Sequence, residues 1–89
     1  MEIKQQLSAL REEIDRTDRE LAALFCRRME LCARIGSLKA AAGLPVRDAA
    51  REEEVLSSVA ASAGAYGPEA RRLWECLMAL SREAQERLK

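Results

Sequence analysis

The sequence predicts an all-α fold with three helices per chain. Three observations support this fold class. Apolar residues recur with helical spacing, no stretch alternates apolar and polar residues as a half-buried strand would, and glycine and proline concentrate at two breaks, 43–45 and 64–68. A chain of 89 residues has the length of a single domain, which we assign to residues 1–89.

The first predicted helix runs from about residue 3 to residue 41. Its apolar row repeats with a four-three spacing and consists of Ile3, Leu7, Leu10, Ile14, Thr17, Leu21, Leu24, Arg28, Leu31, Ile35 and Leu38. Such a helix is ~58 Å long, whereas a compact domain of this size has a radius of gyration of only ~12 Å. The rest of the chain is too short to cover this row, so we expect a second copy to pack along it.

The two remaining helices are shorter. The second, over about 48–62, begins at Asp48, a residue type that caps helix N-termini well, and its apolar face contains Val55, Leu56 and Val59. The third, over about 68–87, begins with Pro68 and has Glu69 in its first turn, as helix starts favour. Its apolar face consists of Leu73, Trp74, Leu77, Met78, Leu80, Ala84 and Leu88.

Composition excludes several classes of protein. Basic and acidic residues number 15 each and only 3% of residues are aromatic, so the chain lacks both the basic surface and the stacking side chains of a nucleic-acid binder. It has no apolar run of about 18 residues and no signal-peptide pattern at the N-terminus. We therefore expect a cytoplasmic protein without a membrane segment.

Metal and thiol chemistry are also disfavoured. The chain has no histidine, and Cys26, Cys32 and Cys76 form no CxxC pair. We interpret these cysteines as buried, reduced thiols that act as small hydrophobic residues. The sequence predicts a protein that uses no cofactor and no metal.

Polar side chains interrupt the apolar face of each predicted helix. They are Arg28 and Lys39 in the first helix, Arg51 and Glu52 in the second, and Ser81 and Gln85 in the third. Each one alone is compatible with a structural role, as a long side chain reaching water, a solvated charge or a polar residue near a helix end. Because these faces should meet, the set together predicts a buried and mostly cationic pocket for a small anion.

Arg11 lies at the edge of the same apolar row, ~25 Å along the helix from Arg28. Within one chain it cannot reach the predicted pocket. In an antiparallel dimer whose first helices cross near Leu21 and Ala22, Arg11 of the partner subunit comes opposite the stretch between Arg28 and Lys39. The sequence therefore predicts a pocket that two chains share.

These residues stand in a specific order along the chain. The first helix carries Leu7-x-x-Leu10-Arg11-x-x-Ile14-Asp15-x-x-Asp18-x-x-Leu21, followed by Leu24, Arg28, Leu31, Ile35 and Lys39. The later stretches read Pro45-Val46-Arg47-Asp48-x-x-Arg51-Glu52-x-x-Val55-Leu56 and Ser81-Arg82-x-x-Gln85. In this combination the chain resembles the all-helical chorismate mutase family over nearly its whole length. Thr17, where the family usually has an aliphatic residue, is a mild departure.

The resemblance implies an intertwined antiparallel homodimer of three-helix chains, which forms a six-helix bundle with two active sites. It also implies conversion of chorismate to prephenate, a Claisen rearrangement at the entry to phenylalanine and tyrosine synthesis. It implies that Arg28 and Arg11 of the partner subunit clamp the two carboxylates of the substrate. It further implies that Arg51 adds positive charge nearby and that Ser81 lies close to one carboxylate.

For the reacting part of the substrate, the resemblance implies that Lys39 and Gln85 donate to the ether oxygen of the breaking bond. Glu52 is implied as the acceptor for the substrate hydroxyl, together with the backbone near Asp48. A unimolecular pericyclic reaction requires no nucleophile, general base or metal, which agrees with the absence of histidine.

Three alternatives stay open at the level of sequence. The same scaffold and cationic clamp suit an isochorismate–pyruvate lyase, although Glu52, Ser81 and Gln85 together favour the mutase. A mutase acting on 4-amino-4-deoxychorismate is not distinguished by any residue. A coiled-coil interaction or regulatory module, which is not an enzyme, predicts that Arg28 is replaceable without loss of function.

Overall fold

A computed structural model describes residues 2–87. Its helices are α1 (Ile3–Ala42), α2 (Ala49–Ser62) and α3 (Gly67–Glu86), and a short 3-10 helix, Gly64–Tyr66, precedes α3. No strand occurs in this part of the chain, so the prediction of an all-α fold with three helices is confirmed. The helix ends differ from the predicted ones by at most one residue. Between residues 2 and 87, no helix combines the length and apolar character that a membrane span requires.

The chain divides into two compact units, one ending at Glu30 and one beginning at Leu31. The first unit is helical, and none of its described residues is buried. The apolar side chains of its row are exposed, with Leu24 at 62% and Ile3 at 68%. Thr17 lies within this row, and its hydroxyl is satisfied because it donates to the main-chain oxygen of Glu13 at 2.9 Å.

The second unit begins with the end of α1, which closes in a Schellman motif. The N–H of Leu44 donates to the carbonyl of Lys39 at 2.9 Å, and the N–H of Gly43 donates to that of Ala40 at 3.3 Å. Gly43 has φ +69°, a conformation that suits glycine because it has no Cβ. The motif turns the chain into the loop before α2 and brings Val46 into the core.

Packing of α2 against α3 forms the core of this unit. Leu56 and Met78 are buried together with Val46. The start of α3 approaches α2 so closely that a Cβ on Gly67 would lie 2.8 Å from the main-chain oxygen of Ala60. Leu73, which the sequence predicts on the apolar face of α3, is 53% exposed, and Leu88, predicted on the same face, lies outside the described residues.

The cysteines differ from the prediction. Cys26 and Cys76 are exposed and Cys32 is half-buried, so the expectation of buried thiols is wrong for the first two. Cys26 lies in the first unit, where no described residue is buried. Cys76 precedes the buried Met78 by two positions, which places it on the opposite side of α3.

Candidate active site

Lys39 lies half-buried in the last turn of α1, at one edge of the second unit. Its ammonium donates to the main-chain oxygen of Val46 at 2.7 Å. The Schellman motif makes this contact possible, because it folds the loop back over the helix end where Lys39 lies. An ammonium has three N–H donors, so the bond to Val46 fixes its position and leaves donor capacity for a second acceptor.

Glu52 places a carboxylate between α2 and α3. Its Oε2 accepts a hydrogen bond from Arg82 at 2.7 Å, and its Oε1 lies 3.8 Å from a guanidinium nitrogen of Arg47. The Glu52 side chain is only 19% exposed, so the carboxylate is held in a partly desolvated position. Two arginines therefore face one carboxylate at this helix pair.

Ser81 and Gln85 lie one turn apart on the buried face of α3, and they are 6% and 8% exposed. The Ser81 hydroxyl donates to the main-chain oxygen of Leu77 at 2.9 Å. The amide oxygen of Gln85 is buried and has no hydrogen-bond partner within residues 2–87. A buried acceptor without a partner costs about 1–3 kcal/mol, so a native protein keeps one where it serves a purpose such as ligand contact.

Asp48 and Arg51 are placed mainly by the start of α2. The Asp48 carboxylate accepts from the main-chain N–H of Arg51 at 3.0 Å, which is an N-cap bond. The Arg51 guanidinium pairs with Glu54 one turn along, and its side chain is 64% exposed. In this arrangement the charge of Arg51 is directed to the exposed side of α2 and not to Glu52.

Arg11 and Arg28 lie in the first unit, where Arg11 is exposed and Arg28 is half-buried. Within the second unit, the structure brings Glu52 together with Arg82, and Lys39 together with the Val46 carbonyl. The meeting of Arg28, Lys39 and Arg11 of the partner subunit stays a prediction.

An open groove of about 770 Å³ adjoins the arginines that hold Glu52. It is lined by Val46, Arg47, Ala79, Arg82, Glu83, Glu86 and Arg87. Lys39, Ser81 and Gln85 do not line it, so this surface groove differs from the predicted pocket. The described part of the chain contains no group of three or more Cys, Asp or Glu side chains arranged to hold a metal ion.

The sequence pattern predicted no function for Arg82, Arg47 or the carbonyl of Val46. Arg82 and Glu52 are separated by 30 residues and lie on different helices, so no spacing rule within a helix links them. The one available signal was the position of Arg82 directly after Ser81, on the edge of a face that was expected to be buried.

Comparison with known proteins identifies the family of the chain. The chain matches the family model described as chorismate mutase type II over residues 10–86. This match includes most of α1 and all of α2 and α3. The chain therefore belongs to the chorismate mutase type II family, as the resemblance in its sequence indicated.

Individual relatives cover different shares of the chain. A T-protein of Haemophilus influenzae is 36% identical over 84 residues, which is 94% of this chain and 22% of that protein. A bifunctional chorismate mutase/prephenate dehydratase of Aquifex aeolicus is 40% identical over 55 residues, or 62% of this chain and 15% of that protein. A T-protein of Enterobacter agglomerans is 40% identical over 62 residues, 70% of this chain and 17% of that protein. The chain thus spans between 15% and 22% of the length of these curated relatives.

Proposed function

We propose that this protein is a chorismate mutase, an isomerase that converts chorismate to prephenate in the synthesis of phenylalanine and tyrosine. The observation that carries the proposal is the family match, because residues 10–86 include every predicted site residue from Arg11 to Gln85. The name of the Aquifex aeolicus relative gives that protein a chorismate mutase activity. We further propose that residues 1–89 act as one domain, without metal or cofactor, in the cytoplasm.

Binding of the substrate dianion is proposed to depend on arginines. Arg28 and Arg11 of the partner subunit each present a planar fork of donors that suits a carboxylate. Ser81 lies close to one of these carboxylates. Arg51 adds positive charge by exchanging its partner Glu54 for the substrate. This clamp holds the substrate in the chair-like conformer from which the rearrangement proceeds.

Lys39 and Gln85 are proposed to stabilise the transition state. Negative charge develops on the ether oxygen as its bond to carbon breaks, and donors fixed at that point lower the barrier. The bond from Lys39 to the Val46 carbonyl supports this proposal because it orients the ammonium beforehand. Gln85 supports it because its amide lies on the buried face of α3, where a neutral donor needs no counter-ion.

Glu52 is proposed to accept a hydrogen bond from the substrate hydroxyl, together with a main-chain group near Asp48. Its partly buried carboxylate is held by Arg82, which suits it to accept a hydrogen bond from a neutral donor beside the dianion. The reaction itself moves no proton between enzyme and substrate. Positioning and electrostatic stabilisation therefore supply the catalysis.

We propose that the active unit is an intertwined antiparallel homodimer with a six-helix bundle. The exposed apolar row of α1 supports this proposal, with Leu10 at 56%, Ile14 at 57% and Leu38 at 72% exposed. An exposed apolar row of this length marks a protein–protein interface in water. Pairing along α1 covers this row and brings Arg11 into the partner's site.

Subunit complementation tests the shared site. Arg11→Ala and Arg28→Ala should each abolish turnover of chorismate, while Arg16→Ala, a neighbouring exposed arginine, should not. When the two inactive variants are co-expressed, half of the dimers have one intact site, so about a quarter of wild-type activity should return. Mixed dimers that are present by native mass spectrometry and yet inactive would contradict the shared site.

A further inference from the structure

Two salt bridges link α2 to α3, and their surroundings differ. Arg82 donates to Glu52 at 2.7 Å, and the two side chains are only 31% and 19% exposed. Arg71 donates to both oxygens of Glu53 at 2.9 and 2.8 Å, but that carboxylate is 60% exposed. The pairs begin from adjacent positions on α2 and use the same chemistry. The helix pair is therefore tied by Arg71 as well as by the more buried bridge of Arg82.

The two oxygens of the Glu52 carboxylate are held unequally. Oε2 receives the short bond from Arg82, while Oε1 lies 3.8 Å from Arg47, which is beyond hydrogen-bond distance, and the Arg47 side chain is 66% exposed. A carboxylate has about four acceptor positions. Oε1 thus keeps the capacity to accept a hydrogen bond from an incoming hydroxyl while Oε2 is fixed.

We propose that Arg82 is a positioning residue for the rearrangement, which orients the Glu52 carboxylate so that Oε1 accepts the substrate hydroxyl. This inference rests on the proposed function. A glutamate side chain has three rotatable bonds, and the directional bond from a guanidinium selects one arrangement of them before substrate arrives. A misplacement of about 1 Å at such a contact lowers rates by up to about 100-fold, so orientation of Glu52 is itself a contribution to catalysis.

The test compares Arg82→Gln with Arg71→Gln in the full chain, with chorismate as substrate. Both variants remove one arginine from one α2–α3 bridge, so Arg71→Gln is a matched control for stability. We expect kcat/KM to fall about 10- to 100-fold in Arg82→Gln, the size expected for loss of a charge-assisted hydrogen bond. Arg71→Gln should stay near wild type, and Arg82→Lys should recover part of the loss.

A double-mutant comparison shows whether Arg82 acts through Glu52. Because Arg82 is proposed to act through Glu52, Arg82→Gln should cause little further loss of kcat/KM in a Glu52→Gln background. If the kcat/KM losses of the two single variants multiply in the double variant, the inference is overturned while the wild-type activity stands. An Arg82→Gln variant as active as Arg71→Gln would overturn it in the same way. A wild-type chain that does not convert chorismate overturns the proposed function and this inference with it. If Arg82→Gln does not fold, Arg82→Met read against Arg71→Met, which removes the donor in the same way, gives the same comparison.

Discussion

The ammonium of Lys39 donates to the main-chain oxygen of Val46 at 2.7 Å and so joins the last turn of α1 to the loop before α2. This contact fixes a cation in a partly buried position without using all of its donors. Mutation of Lys39 can therefore test two effects, which are anchoring of the loop and donation to a substrate.

Lys39→Met should lower kcat for chorismate by about 100- to 1,000-fold, because removal of one donor at a developing negative charge has this effect. Loss of the bond to Val46 should lower the free energy of unfolding by only about 1 kcal/mol. Steady-state kinetics and urea unfolding measure the two effects. Lys4→Met, at an exposed position near the start of α1, is the control. A Lys39→Met variant within about threefold of the wild-type kcat would refute this function of Lys39.

Gln85→Leu should separate stability from activity. The substitution removes an amide oxygen that is buried without a partner within the described chain, so the free energy of unfolding should stay the same or rise by about 1 kcal/mol. Activity should fall by about 100-fold, because the amide N–H that donates to the ether oxygen is lost. Thermal melting and kinetics on the same preparation check both parts. Full activity in Gln85→Leu would show that this amide is structural only.

Asp48→Ala should destabilise α2 by about 1 kcal/mol, because the carboxylate caps the N–H of Arg51 at the helix start. Asp48→Asn, which keeps a capping oxygen, should recover most of this loss. Because the proposed substrate contact near Asp48 uses the main chain, the loss of transition-state stabilisation calculated from kcat/KM should be smaller than the loss in free energy of unfolding. Asp18→Ala, in the interior of α1, serves as the control for removal of one negative charge.

Gly67→Ala should lower stability by about 1–3 kcal/mol, because the added Cβ would lie 2.8 Å from the backbone of Ala60 and must push α2 and α3 apart. Gly43 offers a contrast, since a Cβ there meets nothing within 4 Å and the strain comes from φ alone. Asparagine, which tolerates positive φ, should therefore substitute better than alanine at position 43. At position 67 asparagine should be no better than alanine. Urea unfolding of the four variants tests this difference.

Periodicity made the helices predictable. Heptad spacing located α1, and the cap at Asp48 and the proline at position 68 located the starts of α2 and α3 to within one residue. The breaks were predictable too, because Gly43 ends α1 in a conformation that few other residues adopt.

Contacts between helices were not predictable in the same way. The Glu52–Arg82 bridge joins residues 30 apart, and only the packing of α2 on α3 brings them together. Arg51 is the opposite case. The sequence predicted its charge near the pocket, whereas its guanidinium pairs locally with Glu54 on the exposed side. Sequence patterns therefore predicted which face of each helix is apolar, whereas the partners of charged side chains depended on tertiary packing.

Product analysis with three candidate substrates distinguishes the possible activities of this protein. The purified protein is incubated separately with chorismate, isochorismate and 4-amino-4-deoxychorismate, and the products are identified by mass spectrometry and NMR. We expect prephenate from chorismate, with activity lost in Arg28→Ala while the dimer persists. Salicylate and pyruvate from isochorismate alone, or conversion of the amino analogue alone, would contradict it, and so would a protein that converts none of the three.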